Sequence, residues 1–157
     1  MAVMSSRRSP KGRSKPSSRS AASSSAPGGV PSRAAGPCPC GLPGTYADCC
    51  GRFHAGPAGA ATAEALMRSR YSAFVVEDEA YLLRTWHPRT RPAHLDLDPG
   101  MRWTGLEILG TSEGSAFHTT GTVTFRASFH GGALHERSRF ERVAGAWVYV
   151  DGEFLES

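Results

Sequence analysis

Hydrophobic and polar positions change rhythm along the chain. Residues 1–36 show no period of any kind. From Thr62 onward apolar positions recur at helical spacing. Ala65, Leu66, Ser69, Tyr71, Ala73 and Phe74 form a mixed stripe, Arg68 and Arg70 lie off it, and Thr62 is placed to cap the first turn. Glu77-Asp78-Glu79 puts negative charge where a second helix would begin; this helix runs through Tyr81, Leu82 and Leu83 to about Trp86, and Pro88 stops it. Residues 88–100, with three Pro and a Gly, predict a long loop. Beyond it the period drops to two. Val123, Phe125, Ala127 and Phe129 alternate with Thr122, Thr124, Arg126 and Ser128. Strands are expected over Trp103–Leu109, His118–Phe129, Leu134–Val143 and Trp147–Val150, with turns at His130-Gly131-Gly132 and Ala144-Gly145. Helices followed by four antiparallel strands predict an α+β fold, the helices packed on one face of a curved antiparallel sheet.

Composition changes that picture only at the N-terminus. Residues 1–36 hold eleven Ser, seven basic residues and no acid, which predicts a disordered basic tail. All the Cys, His and aromatic residues lie in the remainder, so one core is drawn from about 120 residues of the 157. The net charge of +4 conceals +7 on the tail and −3 on the rest. A nucleic-acid contact is therefore expected only through the tail. No apolar run reaches the roughly 18–20 residues of a membrane span, which excludes an integral helical membrane protein. The segment also lacks the apolar stretch of a secretory signal, so the expected location is cytoplasmic.

The four cysteines fall within thirteen residues, as Cys38-Pro39-Cys40, eight residues, then Cys49-Cys50. Zinc takes four soft ligands in a tetrahedron, so two sequence-close pairs joined by a reversing loop suit it. Gly41 and Gly44 let that loop turn, and Pro39 stiffens its first corner. Disulfides are rare in the cytosol, and the adjacent Cys49 and Cys50 are poor partners for each other. One structural zinc ion held by Cys38, Cys40, Cys49 and Cys50 is the expected cofactor, with an iron–sulfur cluster as the alternative. His54, four residues past Cys50, offers a replacement for Cys50 as fourth ligand.

Cys38-Pro39-Cys40-Gly41, Tyr46 and Cys49-Cys50-Gly51 resemble the SEC-C motif, the zinc knuckle at the C-terminus of the bacterial secretion ATPase. The usual Ser-Gly after Cys-Pro-Cys-Gly is replaced here by Leu42-Pro43, which leaves the ligands intact but alters the loop surface. The segments 64–74, 85–88, 134–140 and 147–152 follow in an order similar to that of the YchJ-like family of small bacterial proteins. Beyond the tail at 1–36, the resemblance implies two parts: a SEC-C-like knuckle at 37–54 and a cone-shaped nuclear-transport-factor-2-like (NTF2-like) domain at 62–152. In the secretion ATPase the knuckle contacts a chaperone and the ribosome. The resemblance therefore implies a protein or ribosomal partner for the knuckle.

A cone of this class encloses a cavity on the concave side of its sheet, which could take a small-molecule ligand. Glu136 alternates in phase with Leu134 and Phe140, so it should point into the cone and require a partner, with Arg68, Arg70 or Arg139 as the supply. Tyr71, Trp86 and Trp147 would supply apolar walls. Glu136 and His87 are the candidate catalytic residues, as general base of an isomerase, dehydratase or hydrolase. No nucleophile–base–orienter set or phosphate loop accompanies them. The leading expectation is accordingly a zinc-binding accessory or adaptor protein, and the enzyme is the alternative.

Overall fold

The computed structural model describes residues 33–56 and 58–156. The expected tail, residues 1–36, lies outside the described residues up to position 32. Its last part is ordered: Arg33–Ala35 forms a 3-10 turn. Gly36 N–H donates to Arg33 O at 3.1 Å, and Ala47 N–H donates to Ala34 O at 3.1 Å. The basic composition of the segment hides this turn, because backbone bonds to the knuckle hold it rather than any apolar burial.

Helix α1, Cys50–Ala55, leads out of the Cys-rich block. Helix α2, Ala63–Val76, begins where Thr62 Oγ1 accepts from Ala65 N–H at 3.0 Å. It stops at Glu77, which takes a left-handed conformation (φ 61°, ψ 47°). That residue therefore ends one helix rather than starting the next. Asp78 is the true N-cap of α3, Glu79–Arg84, accepting from Tyr81 N–H at 3.0 Å. The second helix is thus shorter than the charge pattern suggests.

Four strands follow as an antiparallel meander in the order β1-β2-β3-β4: β1 Trp103–Glu113, β2 Thr120–Phe129, β3 Gly132–Val143 and β4 Ala146–Phe154. β1 continues past Gly110 because register shifts near Gly105 and Gly110 absorb its glycines. β4 runs on past Val150 because Asp151, Gly152, Glu153 and Phe154 pair in turn with Arg139, Ser138, Arg137 and Glu136.

The predicted alternation holds on β2: Val123, Phe125 and Ala127 are buried, and Thr122, Thr124 and Arg126 are half-exposed. On β3 Glu136, Ser138 and Phe140 point inward. α2 packs against β1, β2 and β4 and fills the concave face with Leu66, Met67, Tyr71 and Phe74. Trp86 and Trp147 complete that core, and Trp147 Nε1–H donates to Ala61 O at 3.1 Å. Tyr149 N–H donates to Thr85 O and His87 N–H to Tyr149 O, so the segment after α3 runs beside β4 and covers part of its edge. Among the described residues no helix is long and apolar enough to cross a membrane.

Candidate metal centre

The first cysteine pair sits on a loop that closes on itself. Pro37 bridges Thr45, Cys38 N–H donates to Gly44 O at 3.2 Å, and Gly41 N–H donates to Cys38 O at 3.2 Å. Gly41 (φ 94°) and Gly44 (φ 133°) supply the reversal in a backbone region that side chains disfavour. Tyr46 N–H returns to Gly36 O at 2.8 Å. The second pair stands at the start of α1, with Cys49 as its N-cap and Cys50 as its first residue. Gly51 must stay bare: a Cβ there would lie 2.6 Å from Tyr46 O.

These two halves bring one ligand atom from each of Cys38, Cys40, Cys49 and Cys50 within 4.8 Å of one another. Cys40 Sγ and Cys49 Sγ are 3.6 Å apart. A tetrahedron with metal–sulfur bonds of about 2.3 Å places its sulfurs about 3.8 Å apart, so the gathered thiols have the size of such a site. Cys38, Cys40 and Cys50 are buried and Cys49 is half-buried.

The electrostatics of the donor set point the same way. A hydrogen bond from the Cys50 thiol holds Cys40 down at about 5, and the same bond pushes Cys50 up. Burial, with the neighbouring Cys38 and Cys40, pushes Cys49 up to about 11. Without a cation the four sulfurs share protons because they cannot all be anionic so close together; a divalent ion removes that conflict by taking four thiolates. The residues present therefore fit a metal ion held by four cysteines.

The centre is fastened to the larger domain through one face of α2. Arg68 NH1 donates to Cys40 O at 2.9 Å, and Arg68 Nε pairs with Glu64 Oε2 at 3.0 Å. Cys38 Sγ lies 3.7 Å from Ser72 Oγ. His54 Nε2 bonds Ser69 O at 2.8 Å, its Nδ1 bonds the Tyr46 hydroxyl, and its ring tilts against Tyr81 with centroids 4.5 Å apart. Burial lowers the His54 pKa, so Nε2–H donates to the carbonyl and Nδ1 accepts from the phenol. His54 thus joins the knuckle to α2 and α3, while Cys50 stands with the other three thiols. Spacing alone cannot separate those two roles.

The second group of candidates does not converge. Glu136 is 2% exposed inside the cone, where its Oε2 accepts from Ser138 Oγ at 3.1 Å. A Cβ on Gly152 would overlap that same oxygen, so only glycine fits opposite Ser138. Arg70 is fully buried, although the helical pattern placed it off the apolar stripe. Its NH1 donates to Leu82 O at 2.8 Å and to Thr85 Oγ1 at 2.7 Å, and its guanidinium carbon stands 4.6 Å and 5.1 Å from the ring centroids of Tyr149 and Trp86. Burial pulls Arg70 down to about 10, opposed by attraction to Tyr149, Tyr81 and Glu136. Of the three arginines expected for Glu136, Arg70 is the one within its field. Arg68 serves the knuckle, and Arg139 forms a two-point pair with Asp151 at 2.7 Å and 2.8 Å on the outer face.

His87 lies on the other side of β3. Its Nδ1 accepts from Arg89 N–H at 2.9 Å, and its Nε2 stands 3.4 Å from Glu141 Oε1. Glu141 alternates with Arg137 and Arg139 on the outer face, so Glu136 and His87 do not share a site. Tyr71, Trp86 and Trp147 are buried core residues. Clefts of about 240 and 270 Å³ lie along β2 and β3, and one of about 340 Å³ is lined by Leu66, Tyr81 and Trp147; none is lined by Glu136.

Comparison with known proteins agrees with the fold. The family described as "YchJ, middle NTF2-like domain" matches residues 62–152. A UPF0225 protein of Streptomyces coelicolor is 79% identical over 120 residues, covering 76% of this chain and 97% of its own length. A UPF0225 protein of Corynebacterium glutamicum is 52% identical over 119 residues, covering 74% of this chain and 95% of its own length. The solution structure of a SEC-C motif containing protein from Rhodopseudomonas palustris superposes with a TM-score of 0.67 at 38% identity, covering 76% of this chain and 99% of that one. The crystal structure of a SEC-C motif containing protein from Psychrobacter arcticus gives a TM-score of 0.66 at 30% identity, with 80% and 86% covered.

Proposed function

We propose, for a chain that belongs to the YchJ-like, UPF0225 family, that it binds one zinc ion through Cys38, Cys40, Cys49 and Cys50 and acts as a cytoplasmic accessory or adaptor protein. The gathering of four thiols within 4.8 Å supports this most directly. Four protein ligands close a tetrahedral zinc site, leaving no position for substrate, so the ion is structural. Zinc there would fix the loop between Cys40 and Cys49 and stabilise the fold without taking part in a reaction.

The adaptor half of the reading rests on how the knuckle is presented. Leu42, at its tip, is 42% exposed, while Arg68, Ser69 and Ser72 anchor its base. A rigidly held loop with an apolar tip loses little entropy on docking, which suits recognition of a protein or ribosomal surface. Glu136, packed against Ser138 and Gly152 within the field of Arg70, serves the fold in this account rather than proton transfer.

The test has two steps. Freshly purified protein is expected to carry one zinc per chain by elemental analysis. The zinc-loaded protein is then sedimented with ribosomes, and binding is expected to weaken with Leu42→Asp. Zinc-free protein with four free thiols would refute the metal assignment. Sedimentation of zinc-loaded protein unchanged by Leu42→Asp would refute the role given to the knuckle tip.

A further inference from the structure

We propose that Cys49 is a site of oxidative modification, and that a hydroperoxide converts the Cys40–Cys49 pair into a disulfide with loss of the bound metal. Exposure selects the first residue. Cys38, Cys40 and Cys50 are 5%, 0% and 2% exposed, and Cys49 alone of the four is half-buried. Geometry selects the second. Both Cys38 and Cys40 neighbour the Cys49 thiol; Cys40 Sγ lies 3.6 Å from it, and Cys38 Sγ is engaged by the Ser72 hydroxyl at 3.7 Å. Cys50 is the chain neighbour of Cys49, the pairing that strains a disulfide most. The backbone between the pair is already folded back by the Gly41 and Gly44 turns, so the sulfurs have only to close from 3.6 Å to the roughly 2.05 Å of a disulfide.

The chemistry balances with one peroxide. The Cys49 sulfur attacks a peroxide oxygen; an S–O bond forms, the O–O bond breaks, and hydroxide leaves. The Cys40 sulfur then attacks the sulfenic sulfur; an S–S bond forms and the S–O bond breaks, releasing a second hydroxide. Two sulfurs have given up two electrons, the peroxide has accepted them, and two protons from solvent convert the hydroxides to water. Cys38 and Cys50 remain as the only thiolates, too few for a closed four-ligand site, so the ion leaves. Arg68 and His54 hold the knuckle to α2 through the Cys40 carbonyl, Ser69 and Tyr46, none of which is consumed. The larger domain therefore keeps its fold. Pairing rests on the sulfur positions alone; metal release also rests on the zinc reading above.

Two measurements on the wild-type protein test this after its metal content has been determined. Limiting N-ethylmaleimide should label Cys49 at least about tenfold more than any other cysteine, read by peptide mass spectrometry. Equimolar hydrogen peroxide should then yield a Cys40–Cys49 disulfide, with release of stoichiometric zinc to a chromogenic chelator. A different cysteine labelled first, or a dominant pair other than Cys40–Cys49, overturns the proposal. Formation of that disulfide with zinc retained overturns its second half. Protein that carries no zinc refutes the metal assignment separately, and the disulfide pairing still decides the rest.

Discussion

At the scale of single residues, the interior of the cone depends on Arg70 and Glu136, both within a few per cent of complete burial. A buried ion that loses its partner is left uncompensated, at a cost of about 3–5 kcal/mol. Arg70→Met alone is expected to lower unfolding stability by about that amount, and Glu136→Gln by less, because the amide keeps its shape and its acceptor. In a urea-denaturation double-mutant cycle, the combined change should cost clearly less than the sum of the two. Strict additivity would contradict the coupling.

His54 yields a second prediction at this scale. Its pKa in the folded protein lies below the ordinary 6.5, because burial opposes the charged ring. Below pH 6.5 the unfolded chain binds the extra proton first, so the stability held above that pH declines as the pH falls. A proton-NMR titration should place the His54 midpoint under 6.5, and a midpoint above it would contradict the neutral hydrogen-bonded ring. Arg70 also shows what a residue pattern conceals. Periodicity ranks arginine as exposed, but Arg70 is accepted inside by a carbonyl, a hydroxyl and two aromatic faces that only the assembled fold supplies. The inward direction of Glu136, by contrast, was legible from its phase with Leu134 and Phe140.

At the scale of elements, α2 has two tasks. One side fills the cone with Leu66, Tyr71 and Phe74, and another carries Arg68, Ser69 and Ser72 to the knuckle. Arg68→Ala removes the bond to Cys40 O and is expected to cost about 1 kcal/mol, with faster amide hydrogen exchange at Gly41 and Cys38 than in β2 or β3. Unchanged exchange across the knuckle would contradict its anchoring by that side chain. β2 and β3 were readable because alternation with a buried face fixes both register and direction. α1 was not. Its six residues, Cys50–Ala55, are too short for a helical period, and the helix is held by its surroundings through Tyr46, Ser69 and Arg84. The ends of β1 and β4 were missed for a related reason: strand partners, not intrinsic preference, carry the chain through Gly110 and Gly152.

At the scale of the whole molecule, the protein is a cysteine knuckle clamped to an NTF2-like cone. The gathering of the four cysteines was legible because its spacing is local: two close pairs and a turning loop contain all four thiols. Its attachment was not legible, since the contacts join residues 28 and 34 positions apart. Nor could the sequence reveal that the two candidate bases do not meet: Glu136 faces the interior beside Ser138, and His87 stands beside Glu141. The central claim is that all four thiols serve one ion. X-ray absorption at the zinc edge on freshly purified protein measures that directly. The account predicts four sulfur neighbours at about 2.3 Å and no lighter ligand in the first shell. A shell of three sulfurs with a nitrogen or oxygen, or protein with no zinc and four titratable thiols, would contradict it.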